Sequence, residues 1–210
     1  MKKKLYYGIL FIGLFIVWTF LIQTIDVQSI GQNNTNVGFA TLNSWFHNLT
    51  GVHMSIYILT DWLGLVPVFV CMLFGCIGLF QLIKRRNLFK VDTDLILLGI
   101  YYILVIFGYL VFEMIPINYR PILINGIMEA SYPSSTTLLV LSVMLTLIYQ
   151  ANLRLTNKTM IQLIRILTIL FTLFMIIGRL ISGVHWFTDI IGSILLSLGL
   201  FYIYIGLVNK

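Results

Sequence analysis

The sequence predicts an all-α integral membrane protein: a bundle of six transmembrane helices, with a short interfacial helix between spans one and two. Its 210 residues are 60% apolar and 10% charged, whereas soluble domains are about 45–50% apolar and about 25% charged. A soluble domain of this size has too little interior to bury so much apolar surface. The composition excludes a soluble enzyme, a disordered chain and a disulfide-stapled secreted module. The net charge of +6 does not indicate nucleic-acid binding, because no basic stripe with interleaved aromatic residues accompanies it.

Six apolar runs are each long enough to cross a bilayer, which takes about 20 helical residues. Each run is predicted to be a helix, because lipid offers no partner for unpaired backbone groups. The runs occupy residues 5–22, 62–83, 93–115, 134–151, 161–178 and 188–208. The first run is too long for the core of a signal peptide and has no cleavage site after it, so we interpret it as a retained helix. The predicted units are a first transmembrane helix (1–25), an outer segment (26–61) and a five-helix membrane core (62–210).

The basic residues predict which ends of the spans face the cytoplasm. Eleven of the 13 Lys and Arg residues lie before span one, after span six, or near the connections between spans two and three and between spans four and five. The positive-inside rule makes that side cytoplasmic. We therefore expect both termini in the cytoplasm and the other loops outside. Arg120 and Arg179 are the two exceptions, and outer loops are normally poor in arginine.

The outer segment between spans one and two changes character along its length. Residues 28–38 form a polar linker. Apolar side chains then recur at helical spacing, at Leu42, Trp45, Phe46, Leu49, Val52 and Ile56. This pattern predicts one short helix in the plane of the interface, with Trp45 at the level of the headgroups. We interpret it as an anchor or the edge of a lid rather than as a substrate contact.

The other two outer loops carry residues whose chemistry suits phosphate. The guanidinium groups of Arg120 and Arg179 have planar forks that bind phosphate oxygens bidentately. A hydroxyl-rich run opens span four, so hydroxyls and free backbone N–H groups meet at a helix N-terminus, which is a natural anion site. These hydroxyls belong to Ser134, Ser135 and Thr136.

His185 and Asp189 complete the candidate site. They are four residues apart, so both lie on one helical face if span six begins near His185. A carboxylate in that place holds an imidazole in one tautomer and raises its basicity, as in nucleophilic catalysis. Each of these residues has an ordinary structural explanation, such as a snorkelling arginine or a helix cap. Their convergence on one side of a small bundle favours a functional site.

These residues resemble the three motifs of the type-2 phosphatidic acid phosphatase superfamily, also called the lipid phosphate phosphatases. The family motifs read KxxxxxxRP, PSGH and SRxxxxxHxxxD. This chain has Glu113 to Pro121 for the first, Pro133 to Thr136 for the second and Gly178 to Asp189 for the third. The order of the motifs, the spacing inside them and their placement on spans three to six agree over roughly residues 55–208.

The resemblance implies a role for each residue of the candidate site. It makes His185 the nucleophile that attacks phosphorus and forms a phosphohistidine, and Asp189 its orienting partner. Arg120, Arg179 and the hydroxyl-rich run would hold the phosphoryl oxygens. No metal or organic cofactor is expected, because the arginines supply the charge stabilisation that a metal otherwise gives. The expected partners are a lipid phosphate or diphosphate and the bilayer itself.

Three positions depart from the family motifs, and they bear on the substrate. The family lysine is Glu113 here, its second-motif histidine is Thr136, and the serine before its last arginine is Gly178. In the family that histidine protonates the leaving oxygen, which Thr136 cannot do. An alkoxide leaving a phosphate monoester needs this proton, whereas phosphate leaving a diphosphate is already a stable anion. We therefore expect a diphosphate lipid, with undecaprenyl diphosphate on the outer leaflet of a bacterial plasma membrane as the lead candidate.

Two carboxylates leave alternatives open. Glu129 is a candidate replacement acid with a raised pKa, and Glu113 is expected to form an ion pair with Arg120 or Arg179, which is the interpretation we favour. A second class of function also stays open. The chain would then be a degenerate family member that binds or translocates a phospholipid or polyprenyl phosphate. The presence of His185 argues against this alternative, because a binding protein needs no nucleophile.

Overall fold

The computed structural model describes residues 2–208, and within this range it has eight α-helices and no β-strand. The helices are α1 (Lys2–Thr24), α2 (Ala40–Thr50), α3 (Met54–Leu63), α4 (Leu65–Arg85), α5 (Thr93–Met114), α6 (Ser135–Arg154), α7 (Lys158–Ile181) and α8 (Phe187–Val208). Two short 3₁₀ turns lie at Gln32–Asn34 and Leu88–Lys90. Lys210, one of the eleven basic residues assigned to the inner side, lies outside the described residues.

Six stretches within residues 2–208 are long and apolar enough to span a bilayer, which confirms the predicted six-helix membrane bundle. The second stretch is longer than predicted, because α3 and α4 together form one run over Met54–Arg85. The two helices are separated at Gly64. Pro67 explains this interruption, since it has no N–H to donate to the carbonyl of Leu63 and its ring crowds the preceding turn.

The prediction of a single interfacial helix from Leu42 to Ile56 is wrong after Thr50. α2 ends at Thr50, and the next residue, Gly51, has a φ of 70° that stops the helix. Ile56 therefore belongs to α3, the start of the second span. The helical spacing of apolar residues continued through this break, which is why the sequence pattern did not reveal it.

The six spans alternate in direction, which gives the bundle two faces. The long-loop face carries residues 25–53, 115–134 and 182–186, and the short-loop face carries the α4–α5 and α6–α7 connections and the first turn of α1. α6 and α8 are the central helices, because 56% and 50% of their apolar windows are buried, against 11–22% in the other four spans.

α1 packs antiparallel along α8 through small residues. A Cβ placed on Gly8 would lie 2.9 Å from the backbone nitrogen of Ile203, and one on Gly199 would lie 3.1 Å from the nitrogen of Ile12. Such close backbone approach is typical of helix pairs in membranes. Near the long-loop face, the indole of Trp18 donates to the carbonyl of Thr188 at 3.1 Å. α1 therefore supports the first turn of α8.

α2 lies over the N-terminal end of α8. The buried Asn43 side chain donates to Gly38 O at 2.8 Å and to Thr188 Oγ1 at 3.1 Å, and its own oxygen accepts from Thr188 N at 3.3 Å. Backbone N–H groups at a helix start lack partners within the helix, so these bonds satisfy one of them. The outer segment thus fixes the point at which α8 begins.

Candidate active site

The connection between α7 and α8 brings His185 into the interior of the long-loop face. Gly183 has a φ of 73°, and a Cβ at this position would clash with the backbone oxygen of Gly51. Only glycine therefore lets the connection turn against the chain between α2 and α3. His185 is 4% exposed. It lies two residues before the start of α8 at Phe187, so it is not on the helical face that the i, i+4 argument assumed.

The hydrogen bonds of His185 assign its tautomer. The Nδ1 atom lies 3.1 Å from the carbonyl oxygen of Ser131, which can only accept a hydrogen bond. The Nε2 atom lies 3.4 Å from Nη2 of Arg179, which can only donate. Nδ1 therefore carries the proton and Nε2 carries the lone pair.

Asp189 contacts His185 through Ser131 rather than directly. The distance from His185 Nδ1 to Asp189 Oδ2 is 3.9 Å, beyond hydrogen-bonding range. The hydroxyl of Ser131 lies between them: it donates to Asp189 Oδ2 and stands 3.3 Å from Nδ1. The structure brings the two predicted residues together, but the hydrogen bonds between them pass through Ser131. The reason is that His185 lies outside the helix that carries Asp189.

Asp189 is fully buried and well supplied with donors. Its Oδ2 also accepts from the backbone N–H of Trp186 at 2.8 Å, and its Oδ1 accepts from Asn118 Nδ2 at 3.3 Å. A carboxylate with several donors is held in one position. The relay from Asp189 to His185 is therefore anchored to two segments of the long-loop face, residues 115–134 and 182–186.

The charge state of His185 follows from its surroundings. Burial and the positive charges of Arg179 and Arg120 hold the pKa of His185 well below its ordinary value of 6.5, and the hydrogen bond to Ser131 opposes this shift. The imidazole is uncharged at neutral pH as a result. The lone pair on Nε2 carries no proton, and the long 3.4 Å contact from Arg179 is what a substrate phosphorus would displace.

Both predicted arginines lie at this site, but their ion pairs differ from the expected ones. Among residues 2–208, Arg120 pairs with Glu129 at 3.0 Å and Arg179 with Asp61 at 3.6 Å. Glu113 takes part in neither pair. The reason is local: Arg120 N donates to Glu129 O at 3.1 Å, within an antiparallel bridge that sets the two side chains next to each other.

Several buried N–H groups of the two arginines have no hydrogen-bond partner. They are Nε and Nη1 of Arg120 and Nε of Arg179. The ring of Tyr57 lies against both guanidinium groups, with centroid distances of 5.7 Å and 4.9 Å. Buried polar groups are nearly always paired, so unpartnered donors on two neighbouring cations indicate a place for an anion.

A polar cavity of about 210 Å³ adjoins these groups. His185, Arg120 and the two carboxylates Glu113 and Glu129 contribute to its wall. The other lining residues are Tyr109, Ala130, Tyr132, Pro133 and Ser135. The cavity therefore joins the candidate nucleophile to one arginine and to both of the acidic residues in question.

The three hydroxyl residues that open α6 take different places. Ser134 is fully buried, and its hydroxyl donates to Thr137 Oγ1 at 3.1 Å. Ser135 lines the polar cavity, but Thr136 does not. Of the three side chains assigned to phosphate, the structure brings only that of Ser135 to the cavity. Ser135 is also the first residue of α6, and the first backbone N–H groups of a helix have no partner within the helix.

Thr136 instead lines a second cleft of about 330 Å³ at the side of the bundle. This lateral cleft shares Tyr109 and Ser135 with the polar cavity, so the two spaces adjoin. Its remaining lining is largely apolar: Gly64, Leu65, Val105, Ile106, Leu138 and Leu139, with Asp61 as the charged member. The polar cavity and the lateral cleft together offer adjoining polar and apolar spaces, as an amphiphile requires.

Four residues belong to this site although the sequence motifs did not identify them: Ser131, Asn118, Tyr57 and Asp61. Ser131 was one polar residue among many in its loop, and its position next to Tyr132-Pro133 was the available signal. The residues of α3 were assigned to a separate outer segment. Tyr57 and Asp61 are four residues apart, so helical spacing was enough to place them on one face.

Comparison with known proteins identifies the family. The model of the PAP2 superfamily matches residues 7–210. The chain belongs to the PAP2 superfamily. Its structure is similar to that of a transmembrane PAP2-type phosphatidylglycerolphosphate phosphatase from Bacillus subtilis, with a TM-score of 0.58 and 19% sequence identity over 98% of this chain and 97% of that chain. No curated protein matches.

PAP2 membership and the shared fold support a membrane lipid phosphatase. Two residues that depart from the family motifs lie in or beside the polar cavity. Glu113 lies in its wall, and Thr136 lies in the lateral cleft next to it. Among residues 2–208 no group of three or more His, Cys, Asp or Glu side chains has the arrangement of a metal site. The cation in the wall of the cavity is Arg120, and Arg179 contacts His185 beside it.

Proposed function

We propose that this PAP2 protein removes a phosphate group from a membrane lipid phosphate or diphosphate through a phosphohistidine on His185. One observation carries the proposal. An uncharged, buried imidazole with its lone pair on Nε2 lies beside two buried arginines that have unpartnered N–H groups. Arg120 and His185 line the same polar cavity, and Arg179 contacts the nucleophilic nitrogen.

In the first step, Nε2 of His185 forms a bond to phosphorus while the bond from phosphorus to the leaving oxygen breaks. The equatorial oxygens carry the charge of the transition state, and the free N–H groups of Arg120 and Arg179 stabilise it. In the second step, water attacks the phosphohistidine, inorganic phosphate leaves and Nε2 regains its lone pair. Each half-reaction keeps the proton on Nδ1.

Ser131 and Asp189 act on this reaction through the far side of the ring. Bond formation at Nε2 places positive charge on the imidazole, and Nδ1–H is then a stronger donor. The Ser131 carbonyl and hydroxyl accept at 3.1 and 3.3 Å, and the hydroxyl itself donates a hydrogen bond to the carboxylate of Asp189. The relay stabilises the charged ring without a direct histidine–carboxylate contact.

The substrate class follows from the leaving group. Thr136 has no acidic proton to give and lies outside the polar cavity. Glu129 is paired with Arg120 at 3.0 Å, so the contact that it makes in the structure is with the arginine and not with a leaving oxygen. A diphosphate lipid, whose leaving phosphate needs little protonation, suits this site better than a phosphate monoester. Undecaprenyl diphosphate is the candidate that we put forward.

The lateral cleft supports a lipid rather than a soluble substrate. It is apolar, adjoins the polar cavity and lies among the spans α4, α5 and α6. A chain in the cleft and a headgroup in the cavity satisfy both polarities. With the basic residues in the cytoplasm, the long-loop face is the outer face of a bacterial plasma membrane.

The test is phosphate release by purified protein in detergent, with undecaprenyl diphosphate and phosphatidic acid offered separately. We expect faster release from the diphosphate, inhibition by vanadate and no effect of EDTA. His185→Ala should abolish release, whereas His53→Ala, at an exposed position outside the cavity, should not. Full activity in His185→Ala would rule out the phosphohistidine.

A second candidate function has one observation in its favour. Glu129 occupies a donor of Arg120, and Glu113 adds a second carboxylate to the wall of the cavity that would hold phosphate. Negative charge here weakens phosphate binding. A PAP2 member that binds or translocates a lipid phosphate without hydrolysis predicts saturable binding of undecaprenyl phosphate by wild type and His185→Ala alike, with no phosphate release from any lipid.

A further inference from the structure

Another cleft, here called the inner cleft, lies far from the candidate active site, between α4 and α5 near the short-loop face. Its volume is about 370 Å³. Its wall is apolar apart from Cys71 and the Tyr102 hydroxyl, and Leu82, Leu88 and Val91 form the end nearest the α4–α5 connection. This inner cleft shares no residue with the polar cavity or the lateral cleft.

The inner cleft is open because of glycine. No heavy atom lies within 4 Å of a Cβ placed on Gly75, Gly78 or Gly99, all three of which line it. The glycines between α1 and α8 behave in the opposite way, since a Cβ on Gly8 or Gly199 meets the facing helix at once. The glycines of α4 and α5 therefore leave a recess on the lipid-facing side instead of joining two helices.

The mouth of the recess is basic. Lys84 and Arg85 lie in the last turn of α4, and Arg86 and Lys90 lie on the connection to α5, on either side of the lining residue Leu88. Arg85 is neutralised by Asp92 at 2.8 Å. The ion pairs formed among residues 2–208 include none to Lys84, Arg86 or Lys90. Three cations without an ion pair therefore lie within two residues of Leu82 or Leu88, which line this end of the recess.

The same connection exposes large apolar side chains between its basic residues. Phe89 is 94% exposed and Leu88 is 56% exposed. Apolar and basic residues interleaved at the end of a span are typical of a segment that contacts the interface of an anionic membrane. The charges therefore lie at the depth of lipid headgroups, with the recess extending toward the acyl chains.

We propose that the inner cleft binds a phospholipid with an anionic headgroup from the leaflet at the short-loop face. One acyl chain fills the glycine-lined recess, and the headgroup phosphate lies among Lys84, Arg86 and Lys90. The acyl chain of a zwitterionic lipid fits the recess equally well, but its headgroup is attracted less strongly by the basic residues at the mouth. This lipid is separate from any substrate, which enters from the opposite face.

The first test is native mass spectrometry of the purified protein with equal amounts of phosphatidylglycerol and phosphatidylcholine. Wild type should retain phosphatidylglycerol in preference. A triple Lys84→Gln, Arg86→Gln, Lys90→Gln variant should lose that preference by more than tenfold, since each basic residue at an anionic surface contributes about fivefold in affinity. The matched control is Lys2→Gln, Lys3→Gln, Lys4→Gln, which removes three charges from the same face and should retain the preference.

The second test separates the recess from the surface charge. Gly78→Leu should fill the recess and lower retention of both lipids, whereas Gly13→Leu, at an open glycine of α1, should not. A photoactivatable phosphatidylglycerol should label peptides within residues 71–102. Equal loss in the control variants, or labelling spread evenly over all spans, would overturn the proposal, and circular dichroism checks that each variant is folded.

Discussion

At the scale of single residues, Ser131 decides how the negative charge of Asp189 reaches His185. The two ends of this relay are 3.9 Å apart, a gap that only an intervening donor and acceptor can fill. The Ser131 hydroxyl serves as both, and its backbone carbonyl holds the same ring nitrogen at 3.1 Å. The carbonyl contact does not depend on the side chain, so removal of the hydroxyl separates the two contributions.

Ser131→Ala should therefore slow turnover without displacing the imidazole. We expect kcat to fall about 10- to 100-fold, the range typical of a partner that orients a reacting group, with little change in KM. Ser131→Thr should restore part of the rate. Ser142→Ala, a buried serine that bonds Ser197 at 3.2 Å, is the matched control and should keep the wild-type rate. An unchanged kcat in Ser131→Ala contradicts the relay.

The low pKa of His185 predicts how activity depends on pH. Protonation of Nε2 removes the nucleophile, so activity falls as pH drops through the pKa of His185 in the free enzyme. Because that pKa lies well below 6.5, the acid limb of the kcat/KM profile should also lie below 6.5. Arg179→Gln removes a nearby positive charge and should move the limb toward higher pH, at a lower maximal rate. A limb at or above 6.5 in wild type contradicts the assignment.

Thr136 predicts a change in substrate preference. Thr136→His places a proton donor at the boundary of the lateral cleft and the polar cavity, and it should raise the rate on phosphatidic acid more than the rate on a diphosphate lipid. The gain should be at most about 100-fold, the lower end for a positioned acid, because Glu113 still adds negative charge to the cavity wall. Rates on both substrates, measured side by side, decide the outcome. Equal gains on both lipids contradict the leaving-group argument.

At the scale of elements, hydropathy was enough to find the spans, but not to find where they begin. A run of apolar residues is a local property, and all six runs became helices. The start of the second span at Met54 was missed because α2 and α3 share one apolar spacing, and only the positive φ of Gly51 divides them. This error also hid Tyr57 and Asp61, which belong to the site.

The residues of the candidate site were predictable from the sequence, but their partners were not. Arg120, Arg179 and His185 were identified from motif spacing, and the structure places all three together. The partner of Arg120 was not predictable, because the bridge between Tyr119 and Ala130 that sets Glu129 beside it joins residues eleven apart in an irregular loop. Pairings of this kind depend on the path of the chain, and no periodicity in the sequence reports them.

The turn before α8 gives a prediction about an element as a whole. Gly183→Ala must accommodate a φ of 73° and a clash with Gly51 O. Strained backbone of this type costs about 1–3 kcal/mol, and the displaced turn carries His185. We expect a lower unfolding temperature by circular dichroism in detergent and a loss of activity. Gly13→Ala, with no heavy atom within 4 Å of its Cβ, should change neither. Wild-type stability and rate in Gly183→Ala contradict this role.

At the scale of the whole molecule, the two faces of the bundle are chemically unlike. The long-loop face has two arginines, and both are engaged at the candidate site. The short-loop face has the basic residues of two connections, some paired with Asp92 and Asp94 and others free to meet lipid headgroups. The distribution of basic residues gives orientation in a membrane, so it predicts on which side substrate is met.

Cysteine labelling in intact cells tests that orientation. The two native thiols, Cys71 and Cys76, are free and are first replaced by alanine. Asn34→Cys, on the long-loop face, should then react with an impermeant maleimide from outside. Lys158→Cys, at the start of α7 on the short-loop face, should react only after permeabilisation, because basic connections stay in the cytoplasm. The reverse pattern would place the polar cavity on the cytoplasmic side, where a carrier lipid of the outer leaflet cannot reach it. Undecaprenyl diphosphate at the outer leaflet would then be excluded as the substrate, even if phosphate release persisted in detergent.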